Sequence, residues 1–283
     1  MKRVVAIHDI SCFGRCSLTV ALPILSASGI NCCVLPTAVL STHTGFDGFT
    51  YRDLTKDILP ITSHWKQLGL GFDALYSGFL GSIEQIDILD KVFAMFHTKE
   101  SFLLVDPVMG DNGKLYKTFS PDFPKKMLKL CKQADLITPN LTEACLLLGE
   151  DYPTNYTYSN IERIIKKLAF LIGSSKQIVI TGVQFQNKAE EIGVAVYNKN
   201  TIDYAMAKHI PSQYSGTGDI FASSLLSALL CNSNNNNLVA SAKIAVEFVS
   251  ASIRHTLEAG LNPSNGIYFE KELQWSKSSS CNS

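Results

Sequence analysis

A chain of 283 residues, 46% of them hydrophobic, is long enough to bury one large core. Its 25 Lys and Arg balance 25 Asp and Glu, so the basic excess expected of a nucleic-acid binder is missing. No uninterrupted apolar run reaches the ~18 residues of a membrane span, and the amino terminus, Met1–Ile7, enters a strand-like run rather than a signal peptide, which implies a cytoplasmic protein.

Taken along the chain, short apolar runs alternate with helical patterns. Arg3–Ile7 predicts a buried strand, Ser17–Ser28 a helix stopped by Gly29, and Cys32–Leu35 the next strand. Ala74–Tyr76 is a short strand before a helix near Ile83–Phe96; Phe102–Val105 and Leu136–Thr138 are further core strands. Ile161–Ile172 is helical up to Gly173, and Ile178–Thr181 is another core strand. Ile192–Tyr197 and Thr201–Ala205 form a hairpin across Asn198–Asn200, and helices near Asp219–Leu230 and Leu238–His255 follow. This alternation implies an α/β fold, a mostly parallel central sheet with helices on both faces. With no compositional break, residues 1–275 read as one domain and 276–283 as a frayed tail; the Asn-rich Cys231–Asn237 reads as a solvated loop. The eight cysteines, Cys12, Cys16, Cys32, Cys33, Cys131, Cys145, Cys231 and Cys281, include no Cys-x-x-Cys pair and fit free thiols in a reducing compartment.

Three segments carry the chemistry. In Ser215-Gly216-Thr217-Gly218-Asp219, glycines precede an apolar helix and expose backbone amides at its positive end, where a phosphate or a developing anion is stabilised. Asp219 stands at that helix start and can take a proton from an attacking hydroxyl; it can equally be an ordinary N-cap. Asp106-Pro107-Val108-Met109-Gly110-Asp111 leaves a strand at its carboxyl end, where open α/β sheets bind ligands, although Asp106 also suits a structural Asx turn. Thr138-Pro139-Asn140-Leu141-Thr142-Glu143 leaves another strand in the same way. There Glu143 is either a helix-start acid or a ligand of magnesium, an ion that takes only one or two carboxylates beside phosphate and water.

Together these segments, in this order and over nearly the whole chain, resemble the ribokinase-like superfamily. That resemblance implies an ATP-dependent kinase in which Asp219 is the base and Gly216, Thr217 and Gly218 form the anion hole. It places Asp106 and Glu143 in the ATP and Mg²⁺ region and brings Thr181 to the nucleotide phosphates. It also implies a homodimer. No Gly-x-x-x-x-Gly-Lys-Ser/Thr loop is present to hold phosphates instead. Residues 112–121 read either as a flap over the nucleotide or as a plain surface loop.

Two branches of that superfamily share the motifs, the pyridoxal kinases and the hydroxymethylpyrimidine kinases. His43-Thr44-Gly45 and Tyr76-Ser77-Gly78-Phe79-Leu80-Gly81-Ser82 resemble the first branch, with Thr44 and Gly45 beside the vitamin ring. Asp219 does too, since the second branch usually has Cys there. In His8-Asp9-Ile10-Ser11-Cys12-Phe13-Gly14, Asp9 stands where many pyridoxal kinases have Ser. A carboxylate there resembles the pyrimidine branch and suits a cationic ring nitrogen or amine. His8 reads as a loop residue, and Asp9 and Ser11 as substrate contacts. The expected substrate is a B6 vitamer; hydroxymethylpyrimidine phosphorylation and a non-catalytic B6 carrier are the alternatives.

Overall fold

Nineteen segments of regular structure build one layered α/β architecture in the computed structural model, which describes residues 1–153, 156–211, 214–231 and 237–273. In chain order they are β1 (Arg3–Ser11), α1 (Leu18–Ala27), β2 (Asn31–Leu40), β3 (Tyr51–Asp53), α2 (Thr55–Gln67), β4 (Ala74–Ser77), α3 (Ile83–Phe96), β5 (Phe102–Val105), β6 (Gly110–Asp111) and β7 (Lys114–Leu115). Then follow α4 (Phe123–Gln133), β8 (Leu136–Ile137), α5 (Leu141–Leu148), α6 (Tyr158–Ile172), β9 (Gln177–Phe185), β10 (Lys188–Asn198), β11 (Thr201–Lys208), α7 (Thr217–Cys231) and α8 (Leu238–Glu258). The tail from Trp275 onward and residues 232–236 of the Asn-rich loop lie outside the described residues.

The main sheet has the strand order β11-β10-β9-β8-β5-β4-β1-β2-β3. The six strands from β9 to β2 run parallel. β3, β10 and β11 close the edges antiparallel. Period-two alternation splits β1 between two cores. Val5 and Ile7 join the core under α2 to α6, whereas Val4 and Ala6 join the core under α1, α7 and α8. With both faces covered, the central strands are apolar without a break, which is why they were legible as short hydrophobic runs.

The chain leaves β1 for β2 on one side and returns to β4 on the other. The carboxyl ends of β1 and β4 therefore face the topological switch point, the natural crevice of such sheets. β1 extends four residues past the expected Ile7, so His8 is a strand residue and not a loop residue. Between His8 and Ile10 the β1–β2 register shifts, with Thr37 and Ala38 of β2 lying opposite the single residue Asp9. Such a bulge re-aims side chains next to a site.

The expected hairpin forms, with Asn198 paired to Thr201. Lys199 and Asn200 both take positive φ, 48° and 69°, as a two-residue type I′ turn requires. Two helices were absent from the sequence reading. α2 contains Pro60 and buries only Thr55, Ile58 and Thr62, so its apolar stripe is faint. α4 has helical spacing at Phe123, Met127, Leu130 and Cys131, masked by the proline in its first turn. Cys12, Cys16, Cys32, Cys33, Cys131 and Cys145 are free thiols; Cys231 departs from the expected pattern and is not free. Among the described residues no helix is long and apolar enough to cross a membrane.

Candidate active site

The expected anion hole is built at the start of α7. The helix begins at Thr217, two residues before the expected start, and its first closing bond runs from the Ile220 amide to the Gly216 carbonyl. The amides of the first turn therefore have no partner within the helix and remain available to an anion. Gly216 has φ 84°, and a Cβ there would lie 2.1 Å from the Arg15 carbonyl oxygen. Only glycine lets this turn press against the loop after β1.

Asp219 thus lies in the first turn and does not cap its own helix. Its Oδ2 accepts from the amide of Ser17, at 2.8 Å and across 202 residues. Ser17 adopts φ 53° and ψ −126°, a conformation that costs a non-glycine residue of order 1–3 kcal/mol. This strained residue serves two carboxylates: its amide holds Asp219, and its hydroxyl stabilises the ionised form of Asp9. Burial raises the Asp219 carboxyl from its ordinary 3.8 to about 7; the Ser17 amide opposes the rise and the charge of Asp9 adds to it. A carboxylate poised near neutrality is suited to accept a proton from an alcohol.

Asp9 is 3% exposed and accepts the Ser11 hydroxyl at 3.1 Å. Burial raises its pKa, against the opposing effect of the Ser17 and Ser11 hydroxyls. Across the crevice, His43 ties the 41–48 segment down. Its Nδ1 lies 3.1 Å from the Gly45 amide nitrogen, and its Nε2 lies 2.8 Å from the Ser264 carbonyl oxygen, so both ring nitrogens are engaged with main chain. Gly14 and Gly45 both pack on that ring, and a Cβ at Gly45 would lie 4.0 Å from Ser215 Oγ. The Thr44-Gly45 segment therefore borders the Gly-Thr-Gly turn, with Thr44 exposed toward solvent. Asp9, Ser11 and Asp219 gather around Ser17, and Gly45 lies beside Ser215 at the start of the Gly-Thr-Gly turn. His43 and Ser17 are positioning residues that sequence reasoning missed; the glycines at 14 and 45, which make room for the His43 ring, were the available sign.

A second acidic group lies beyond β5 and β8. Asp106 is 4% exposed, and a Cβ on Gly218 would sit 4.0 Å from its Oδ2, so its carboxylate faces the start of α7. The Asp106 turn is closed by the Val108 amide bonding to the Asp106 main-chain carbonyl. Among the described residues no amide bonds to the carboxylate, which excludes the Asx-turn reading. Burial, then the charges of Glu143 and Asp219, holds its pKa well above the ordinary value, while the Thr138 hydroxyl acts against them.

Glu143 completes a capping box on α5. Its Oε2 accepts from the Asn140 amide at 2.8 Å, and Asn140 Oδ1 accepts from the Glu143 amide at 2.9 Å. Its Oε1 accepts from the Met109 amide at 3.0 Å. Burial pushes the carboxyl up to about 8, against the amides of Asn140, Met109 and Gly110. Both oxygens are already engaged, so Glu143 fits a water-mediated magnesium contact better than a direct one. No group of three or more His, Cys, Asp or Glu is gathered for a metal among the described residues. Thr181 sits beside the acidic group: its amide bonds the Pro139 carbonyl at 2.9 Å, and Gly182 follows with φ 69°.

Residues 112–115 belong to a small hairpin, and 116–121 continue as turn and coil. β6 and β7 form a hairpin around Asn112 and Gly113, both at positive φ, anchored by the Gly113 amide on Thr142 Oγ1 at 2.9 Å. The pKa of the Tyr116 hydroxyl is shifted upward by partial desolvation and by the charges of Glu143, Asp111, Asp106 and Asp219, although its side chain is still exposed at the surface.

A family model of the phosphomethylpyrimidine kinases matches residues 26–266. The chain belongs to that family. Within this kinase family, a Bacteroides thetaiotaomicron protein named for the same activity, its structure determined with pyridoxal, is 38% identical to this chain. It superimposes with a TM-score of 0.89 over 98% of this chain and 96% of its own. The pyridoxal kinase of Lactobacillus plantarum is 30% identical, with a TM-score of 0.89 over 98% and 97% of the two chains. The pyridoxal kinase of Arabidopsis thaliana is 26% identical over 80% of this chain and 74% of its own. The fold is the ribokinase-like one expected from the motifs, and the protein is a kinase.

Proposed function

We propose that this kinase transfers the terminal phosphoryl group of ATP to the hydroxymethyl group of a B6 vitamer, pyridoxal, pyridoxine or pyridoxamine. The observation that carries the proposal is Asp219. Its carboxylate is bonded to the Ser17 amide, is basic near neutral pH, and stands in the first turn of α7, whose amides have no partner within the helix. A passive carrier of the vitamin has no use for a base in that position.

In this reading the vitamer lies between the Asp9–Ser11 stretch of β1 and the Thr44-Gly45 segment, with its hydroxymethyl group toward Asp219. Asp219 removes the hydroxyl proton as the oxygen attacks. The amides of Gly216, Thr217 and Gly218 stabilise charge on the transferring group. When bound, ATP supplies the phosphoryl group, and Mg²⁺ neutralises charge on its phosphates. Asp106 and Glu143 would hold the ion, and Thr181 would approach the phosphates. The Asn112–Pro121 segment closes over the nucleotide and excludes water. A homodimer belongs to the same reading and rests on the family resemblance alone; a cytoplasmic location rests on the sequence reading of the cysteines as thiols of a reducing compartment.

Asp9 favours a second reading, phosphorylation of a hydroxymethylpyrimidine, because a carboxylate also suits an aminopyrimidine ring. Incubation with ATP, Mg²⁺ and pyridoxal should yield the 5′-phosphate, detected by mass spectrometry, together with stoichiometric ADP. ADP release without a phosphorylated vitamer would overturn the vitamer assignment.

A further inference from the structure

His8 is an anomaly beneath the site. It is fully buried, and neither ring nitrogen has a hydrogen-bond partner among the described residues. Such a group destabilises a core unless something compensates for it. The ring is nonetheless carefully seated. It stands edge-on to Tyr76 with centroids 4.4 Å apart, and it fills the space a side chain at Gly78 would need, since a Cβ there would come within 2.3 Å of Cε1. By strand alternation His8 shares the face of Val4 and Ala6, the face covered by α7. Its Nδ1 therefore points at Asp219, 3.9 Å from Oδ1.

Asp219 has one oxygen, Oδ2, held by the Ser17 amide, while its other oxygen, Oδ1, lies 3.9 Å from His8 Nδ1. We propose that His8 is the positioning residue for Asp219: a neutral imidazole whose Nδ1–H is aimed at Oδ1 and fixes the carboxylate toward the acceptor hydroxyl. The inference rests on the phosphoryl-transfer reading of the site. A movement of about 1 Å would bring the pair from 3.9 Å to hydrogen-bond distance, and catalytic contacts commonly tighten only in the loaded enzyme.

Neutrality is what makes histidine suitable here. Burial lowers its pKa to about 3, so the ring stays uncharged at any working pH. A cation in its place would draw the Asp219 pKa down and weaken the base. The other titratable groups around Asp219 are Asp9 on β1, Cys16 in the loop after β1, Tyr76 on β4, Asp106 beyond β5 and Tyr116 just after the hairpin. None of them is a cation, so a neutral donor orients the carboxylate without being opposed by a full positive charge.

The first test needs no substrate. Nitrogen-15 NMR of the free protein at pH 8.5 should show His8 as a neutral ring protonated at Nδ1. A ring protonated at Nε2, or a charged ring, would overturn the proposal whatever the enzyme phosphorylates. The second test compares His8→Phe, His8→Asn and His8→Gln, each checked for folding by thermal melting. The Asn amide nitrogen replaces Nδ1, whereas Gln places its nitrogen where Nε2 lies. His8→Phe and His8→Gln should lower kcat roughly tenfold to hundredfold with the KM for ATP unchanged, and His8→Asn should restore most of the loss. Equal kcat in all three, or rescue by Gln and not by Asn, would reduce His8 to a packing residue. A wild-type protein that phosphorylates no vitamer would sink the functional reading and leave the NMR result to decide His8 alone.

Discussion

Replacing Asp219 by Asn separates the chemistry of this site from its architecture. The Asn carbonyl can still accept the Ser17 amide that Oδ2 accepts at 2.8 Å, so the turn should keep its shape. What is lost is the base, and kcat should fall by roughly 10²–10⁴. A gain in stability should accompany the loss, with a definite dependence on pH. The carboxyl titrates near 7 in the folded protein and near 3.8 when free. Between those values the folded chain keeps a proton that the unfolded chain releases, so this group's contribution to stability is full below pH 3.8 and is lost as pH rises through 7. At about 1.4 kcal/mol per pH unit, the wild-type penalty above pH 8 is at most about 4 kcal/mol, and relaxation should leave about 1–3. The Asn variant carries no such penalty. Its advantage in melting temperature should therefore be several degrees larger at pH 8 than at pH 5, at about 2–4 °C per kcal/mol for a chain of this size. Wild-type kcat/KM should correspondingly fall about tenfold per pH unit below 7. Turnover within threefold of wild type, or a melting advantage equal at both pH values, would refute the reasoning.

Three other changes test other parts of the site. Glu143→Gln should raise the magnesium needed for half-maximal rate far more than the KM for the vitamer, and weakening of the α5 capping box should cost about 0.5–2 kcal/mol of stability; an unchanged magnesium curve in a rate titration would leave Glu143 a helix cap alone. Asp9→Ser should lower the pyridoxamine-to-pyridoxal ratio of kcat/KM by about tenfold to hundredfold, through loss of a charge-assisted contact; a ratio that stays put in paired assays would turn Asp9 away from the ring. Gly216→Ala forces a Cβ to within 2.1 Å of the Arg15 carbonyl oxygen at φ 84°, so it should lower kcat at least tenfold by displacing the anion hole, which steady-state kinetics at saturating ATP would reveal.

Much of this was legible in the sequence, for physical reasons that differ from element to element. Phe102–Val105 is buried on both faces, so its apolar run marks the strand without ambiguity. Gly216 announced the anion hole because backbone must approach backbone there. Asn198–Asn200 announced its turn because asparagine tolerates left-handed φ. The Asn112-Gly113 turn of the small hairpin carries the same signal, but strands of two residues leave no alternation to support it.

Long-range partnerships were not legible. Nothing local says that the amide of Ser17 meets a carboxylate 202 residues away, or that the loop containing His43 is pinned to the carbonyl of Ser264. The polar residue His8 ends an apolar run and so read as the end of a strand. In the fold β1 continues to Ser11, since β2 goes on pairing with it, past a bulge, as far as Ser11 and Leu40. The role of Glu143 was ambiguous in the sequence because its position admits both readings: it completes a helix capping box, and its charge acts on Asp106.

The central claim is the choice of acceptor, and one experiment addresses it directly. Purified protein with ATP and Mg²⁺ would be offered pyridoxal, pyridoxine, pyridoxamine and hydroxymethylpyrimidine side by side, and kcat/KM measured for each. The account predicts that at least one B6 vitamer is phosphorylated more efficiently than hydroxymethylpyrimidine. Preference for hydroxymethylpyrimidine over all three vitamers would contradict it.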